Sequence, residues 1–191
     1  PAASSWFPMS VSTAPKLLAD RRTALPDIQA EAPEQAIALS QVGVSSMRLP
    51  LVFDRGPAIA TLRLAVNLPA NQRGAHMSRF RRAIDAMPEG LDPHRFAVAL
   101  GEELLRRHTY ATSADVVVQT EALVGDIVLP LTARAHLGET VTPSAAAPSS
   151  VSMTVLGSTV CPCSFAMSGD RYAHVQRAEL RVELAEPKVT A

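Results

Sequence analysis

Ile59-Ala-Thr-Leu-Arg-Leu-Ala-Val-Asn-Leu68 alternates at a period of two, with Thr61, Arg63 and Asn67 among its polar positions. A strand with that pattern turns one face to a core and the other to water. Just before it, Val42-Gly-Val-Ser-Ser-Met-Arg-Leu-Pro-Leu-Val-Phe53 reads as a second strand, with Pro50 tolerable at an edge or a bulge. Asp54-Arg55-Gly56-Pro57 supplies the turn between them, so the two runs form a β-hairpin.

Helices follow. Phe80, Ile84 and Met87 recur at helical spacing, which predicts a short helix from about Ser78 to Met87. A second helix opens on Asp92 as N-cap with Pro93 at its first position, and Phe96, Ala97, Leu100, Leu104 and Leu105 form its apolar stripe. Arg106, Arg107 and His108 lie where cations favour the helix dipole. Thr112 to Leu123 and Asp126 to His136 then make another hairpin around Val124-Gly125, and Ser152 to Val160 pairs with Ala173 to Leu184 in a third.

The predicted class is α+β, an antiparallel sheet with two helices on one face, in the order ββααββ with an extra hairpin. The chain divides into an extended segment 1–40, a module 41–137, a linker 138–149 and a hairpin 150–191. Pro33-Glu34 is expected to open one short helix through Leu39.

Composition narrows the function. The 191 residues suffice for one domain with a proper core. With 18 basic and 18 acidic residues there is no global field to recruit nucleic acid or an anionic membrane. Aromatic residues are 4%, too few for base-stacking platforms along a single strand. No stretch approaches 18 apolar residues, and two cysteines make no disulfide framework. A cytoplasmic protein without nucleic-acid or membrane partners is the expectation.

Both cysteines stand in Val160-Cys161-Pro162-Cys163-Ser164, with His174-Val175-Gln176-Arg177 shortly beyond. A thiolate is the soft nucleophile and metal ligand of the side-chain set, and neutral imidazole is the commonest metal ligand. Pro162 biases Cys161 towards an extended conformation, in which neighbours two apart are separated by about 6.5 Å at Cα and poorly placed for a disulfide. Three local donors, Cys161, Cys163 and His174, fall short of a closed structural zinc site and would suit an open one. The local pattern fits equally well two small apolar fillers at a strand end beside a surface histidine.

Taken in order, Pro26-Asp27-Ile28-Gln29, Gly74-Ala-His-Met-Ser-Arg-Phe80, Cys161-Pro-Cys-Ser164 and His174-Val-Gln-Arg177 resemble GTP cyclohydrolase type IB, the alternative folate-pathway enzyme with a tunnelling fold, or T-fold. The likeness runs from about Asp27 to Leu184. It implies hydrolytic opening of the GTP imidazole ring, to formate and 7,8-dihydroneopterin triphosphate, by a water activated on a divalent metal (Zn, Mn or Fe) that attacks the purine C8. Cys161 matches the family's active-site cysteine and metal ligand, and His174 matches a histidine that ligates the metal or transfers a proton. Gln176 and Arg177 are then candidates for the site wall, since a guanidinium suits a triphosphate. In the Gly74–Phe80 motif, His76, Ser78 and Arg79 are candidates for binding substrate at a helix N-terminus. Their structural alternatives are exposed strand positions for the first pair, and a helix cap at Ser78 with core packing at Phe80 for the second. His94, His108 and His136 have no spacing partner and read as surface or packing residues.

Two departures qualify the resemblance. Val175 stands where the family has Asn, and the Cys161–His174 spacing is one residue longer. The family chain also continues into a second module that supplies a glutamate and a further histidine. The expectation is a homo-oligomer, or a hetero-oligomer with a chain supplying the second T-fold module, acting on GTP or a related purine or pterin. The alternative is a non-catalytic paralogue that binds a pterin or purine nucleotide.

Overall fold

The computed structural model describes residues 31–138, 149–169 and 171–185. Nine elements follow in order: β1 (Leu39–Phe53), β2 (Gly56–Leu68), α1 (Met77–Asp85), α2 (Pro93–Arg107), β3 (Ser113–Val124), β4 (Ile127–Gly138), β5 (Ser149–Val160), α3 (Pro162–Met167) and β6 (Val175–Ala185). The class is α+β. All six strands join one antiparallel sheet in sequence order, β1-β2-β3-β4-β5-β6.

The period-two pattern of β2 sets which face is covered. Ala60, Leu62, Leu64 and Val66 are fully buried. Val116 and Val118 of β3 lie opposite Leu64 and Leu62 and face the same way. Above them α1 buries Phe80, Ala83 and Ile84, while α2 buries Phe96, Ala97, Leu100 and Leu104. Phe53 closes one end of this core against Phe96, edge to face, with ring centroids 5.6 Å apart. The helix start at Asp92 is built as its sequence requires, its carboxylate accepting the N–H groups of His94 and Arg95 at 3.0 Å.

Three expectations need correction. Residues 33–38 are not helical, and β1 already begins at Leu39. Ile37 is 58% exposed, so a single turn there would bury no apolar stripe to offset its nucleation cost. Secondly, Cys161-Pro162-Cys163 is not extended throughout: Cys161 is, but Pro162 opens α3 and Cys163 lies in its first turn. Thirdly, Ser78 does not cap α1, since His76 is the N-cap residue and makes no side-chain capping bond. Pro26–Gln29, most of the linker and the residues after Ala185 lie outside the described residues.

Past the core the sheet divides. β4 pairs with β5 only from Leu131↔Met153 to Ala135↔Ser149. From Thr154 on, β5 is hydrogen-bonded to β6 and, among the described residues, to no other strand. A two-stranded ribbon therefore extends from the sheet, and its tip carries Cys161, α3 and His174. On the side that faces α2 further in, this ribbon leaves Val155, Leu180, Val182 and Leu184 exposed.

Candidate functional site

The ribbon tip brings the two sequence motifs together. Val160↔Val175 is the last pair of the ladder. One step beyond it, the Cys161 N–H donates to the His174 carbonyl at 3.2 Å. Ser164 links the two strand ends a second time: its hydroxyl donates to the Cys161 carbonyl at 3.1 Å and accepts the His174 N–H at 3.2 Å. Cys161 also sits at the N-cap of α3, its carbonyl accepting the Phe165 N–H at 3.2 Å. The loop back to His174 is organised by Ser168, whose hydroxyl accepts the Tyr172 N–H at 2.8 Å and approaches the Tyr172 carbonyl at 2.7 Å.

Electrostatics follow from that geometry. Chiefly the Ser164 N–H, with a further contribution from Cys163, holds the Cys161 thiol below its ordinary range, against an opposing effect of burial. Donors gathered around a sulfur favour the thiolate, which is the form that ligates metals. Both cysteines are free thiols; Cys161 is half-buried and Cys163 exposed. His174 is exposed, and so are Gln176 and Arg177. These last two occupy successive strand positions, paired with Thr159 and Ser158, and so point to opposite faces of the ribbon. No group of three or more His, Cys, Asp or Glu side chains placed to hold a metal occurs among the described residues. The donor chemistry fits a metal at Cys161, with His174 beside it, as part of a ligand set.

The Gly74–Phe80 motif lies elsewhere. Arg79 reaches across to α2 and donates to the Arg107 carbonyl at 3.0 Å, satisfying one of the terminal groups that a helix leaves open. His76 faces the Tyr110 ring at 6.3 Å, and Tyr110 meets His108 at 5.8 Å. His108 is fully buried, packed against Phe80 with centroids 4.6 Å apart, and its Nδ1 contacts the Leu104 carbonyl at 2.9 Å. That contact requires the proton on Nδ1. Burial pushes the His108 imidazole pKa down and the Tyr110 phenol up. Ser78 is exposed on the first turn of α1.

His76 and Cys161 are separated along the strand direction. His76 follows the end of β2, level with the start of β5, whereas Cys161 follows the far end of β5. The intervening length of β5 spans about 35 Å. One copy of the chain thus unites Cys161 with His174 but keeps His76, Ser78 and Arg79 apart from them.

A family model described as "Type I GTP cyclohydrolase folE2" matches residues 25–190. The chain belongs to the FolE2 family of type I GTP cyclohydrolases. It is 32% identical over 169 residues to "GTP cyclohydrolase MptA" of Haloferax volcanii, covering 77% of this chain and 53% of that protein. With "GTP cyclohydrolase FolE2 2" of Cupriavidus metallidurans it shares 32% over 181 residues, 84% of this chain and 63% of the relative. With "GTP cyclohydrolase FolE2" of Burkholderia ambifaria the figures are 30% over 175 residues, 83% and 62%. The chain spans between about half and just under two thirds of the length of these FolE2-family relatives.

The sequence carries a signal for the placement of Ser164. Cys161-Pro162 repeats the arrangement of Asp92-Pro93, a residue before a helix followed by proline at its first position. Read in that way, Ser164 falls on the first turn of a helix, facing back towards Cys161.

Proposed function

We propose that this chain carries the cysteine half of a GTP cyclohydrolase site on a T-fold scaffold, opening the imidazole ring of GTP to release formate and 7,8-dihydroneopterin triphosphate. The observation that carries the reading is the ribbon tip. There a thiol held towards thiolate, and a histidine tied to it by one backbone hydrogen bond and a bridge through the Ser164 hydroxyl, occupy the two motifs of a chain in the FolE2 family. Cys161 and His174 would hold a divalent cation (Zn, Mn or Fe), with further ligands from another copy or from a chain supplying the second T-fold module. When bound, such a cation supplies Lewis acidity to the purine ring. Cys161 acts as the anionic anchor. His174, exposed at the strand start, holds the cation or moves a proton. Gln176, two positions after His174 and so on the same face of the ribbon, offers an amide to the base or ribose, whereas Arg177 points to the opposite face and would meet a triphosphate only where another copy brings one there.

The same reading includes assembly. His76, Ser78 and Arg79 reach a site at Cys161 only if another copy brings them there, because about 35 Å of strand separates the two groups within one chain. The exposed face of Val155, Leu180, Val182 and Leu184, and the edges of β1 and β6 that no strand among the described residues pairs, support a further copy, or a chain supplying a second T-fold module, packing against the ribbon. Two free thiols are in keeping with a cytoplasmic setting.

GTP turnover with Mn²⁺ or Zn²⁺, followed by pterin fluorescence, tests the proposal. Cys161→Ala abolishes metal-dependent activity and leaves the melting temperature unchanged, because Cys161 lies on the ribbon and outside the buried core. Undiminished turnover in that variant would remove the cysteine from the mechanism. Val175 in place of the family's Asn favours a second reading, a paralogue that binds the nucleotide without turning it over. Tight GTP binding with no product would establish that reading.

A further inference from the structure

We infer that Ser164 is a positioning residue, whose hydroxyl fixes the separation of Cys161 and His174 and thereby the bite of the two donors on a metal ion. The inference rests on the reading of Cys161 and His174 as ligands and extends it to a residue that itself touches no substrate. Two strands of a bare ribbon leave their ends free to splay once the ladder stops, and here the ladder stops at Val160↔Val175. Beyond that pair the Cys161 N–H to His174 carbonyl bond, at 3.2 Å, is one link. The Ser164 hydroxyl provides the other, accepting from the His174 N–H at 3.2 Å and donating to the Cys161 carbonyl at 3.1 Å. A single side chain thus contacts the main chain of both donor residues.

The arrangement makes the α3 turn part of the ligand geometry. Pro162 starts the helix, the helix places Ser164 three residues past Cys161, and half-burial of Ser164 limits competition from water for its two bonds. Removing the hydroxyl leaves the His174 N–H without its partner and releases that end of β6. Groups that orient metal ligands in this way are commonly worth 10- to 100-fold in metal affinity, so roughly a tenfold loss or more is expected. A serine that merely supported α3 would alter helix stability and leave metal affinity untouched.

The test uses the full chain with Co²⁺ as the probe, reading the thiolate-to-cobalt charge-transfer band, alongside amide hydrogen exchange at His174. Ser164→Ala is expected to weaken Co²⁺ binding by about tenfold or more and to speed exchange of the His174 amide; Ser164→Thr, which keeps a hydroxyl at the same position, restores both. Unchanged Co²⁺ affinity in Ser164→Ala overturns the inference, whether or not exchange accelerates. So does a Thr variant as weak as Ala. If the unsubstituted chain shows no thiolate–cobalt band, the ligand reading of Cys161 fails and the positioning role falls with it. In that case, faster His174 exchange in Ser164→Ala would still identify Ser164 as a clamp between strand ends, separating the two failures.

Discussion

Glu103 lies in the last turn of α2, where a negative charge opposes the helix dipole, yet two arginines surround it. Arg106 approaches with both Nε and Nη2 at 2.6 Å, and Arg107 with Nε at 2.6 Å. Chiefly through Arg106, and then Arg107, with burial opposing, these bonds bring the Glu103 carboxyl down to about 2 from an ordinary 4.5. The native state therefore releases this proton more readily than the unfolded chain. The stabilisation is complete above pH 4.5 and is lost as the pH falls from there towards 2. A displacement of that size corresponds to roughly 3 kcal/mol if none of it is screened. The Glu103 side chain is only 12% exposed, but Arg106 is 67% exposed, and solvent around its guanidinium reduces the net value to about 1–2 kcal/mol. Glu103→Gln is accordingly expected to cost about 1–2 kcal/mol at pH 7. By linkage, that deficit shrinks to less than about half by pH 3. Urea denaturation of both proteins at pH 7, 5, 4 and 3 measures it. A deficit that stays constant across that range, or no deficit at pH 7, would refute the account of Glu103 as a clamped carboxylate.

Two further outcomes follow from burial and exposure. His108 is fully buried with its imidazole pKa lowered, mainly by burial, so its contribution is intact above pH 6.5 and declines as the unfolded state takes up a proton below it. His108→Gln should flatten the loss of stability between pH 7 and 5, measured by urea midpoints; parallel slopes for the two proteins would exclude this histidine as the source. Leu180 is 62% exposed on the ribbon, so Leu180→Asp should change the stability of an isolated chain by no more than about 0.5 kcal/mol. In an assembly that covers this face, the same change places an unpaired charge in an apolar contact, which is strongly unfavourable. Light scattering should then show dissociation to smaller species, and an unaltered mass would remove Leu180 from any interface.

Much of the core was legible because its signals are local. The alternation in Ile59–Leu68 reports a face, and four of its apolar side chains are indeed fully buried. Asp92-Pro93 and the Phe96–Leu104 stripe specify a capped amphipathic helix through spacing alone, and both features are present. The same logic applied to Cys161-Pro162 would have revealed α3. It was obscured because six residues carry no apolar periodicity, and none of them is buried. The supposed helix at 33–39 failed for the converse reason: a favourable proline start has no force without a stripe to bury.

Sequence by itself determined the α+β class of this FolE2-family chain, its first two hairpins with the two helices between them, and the residue types of its candidate site. A period of two or 3.6 and an N-cap are written in neighbouring residues. Only the tertiary structure decided which of those residues meet. The register of β4 against β5 is set by pairing across a connecting segment, and it sends the second half of β5 away from the sheet as a ribbon. The register of β5 against β6 brings Cys161 to His174, and the run of β5 beyond β4 leaves His76 and Arg79 at the other end. Linear order preserves a motif's composition, but distance in the fold depends on where each strand stops pairing.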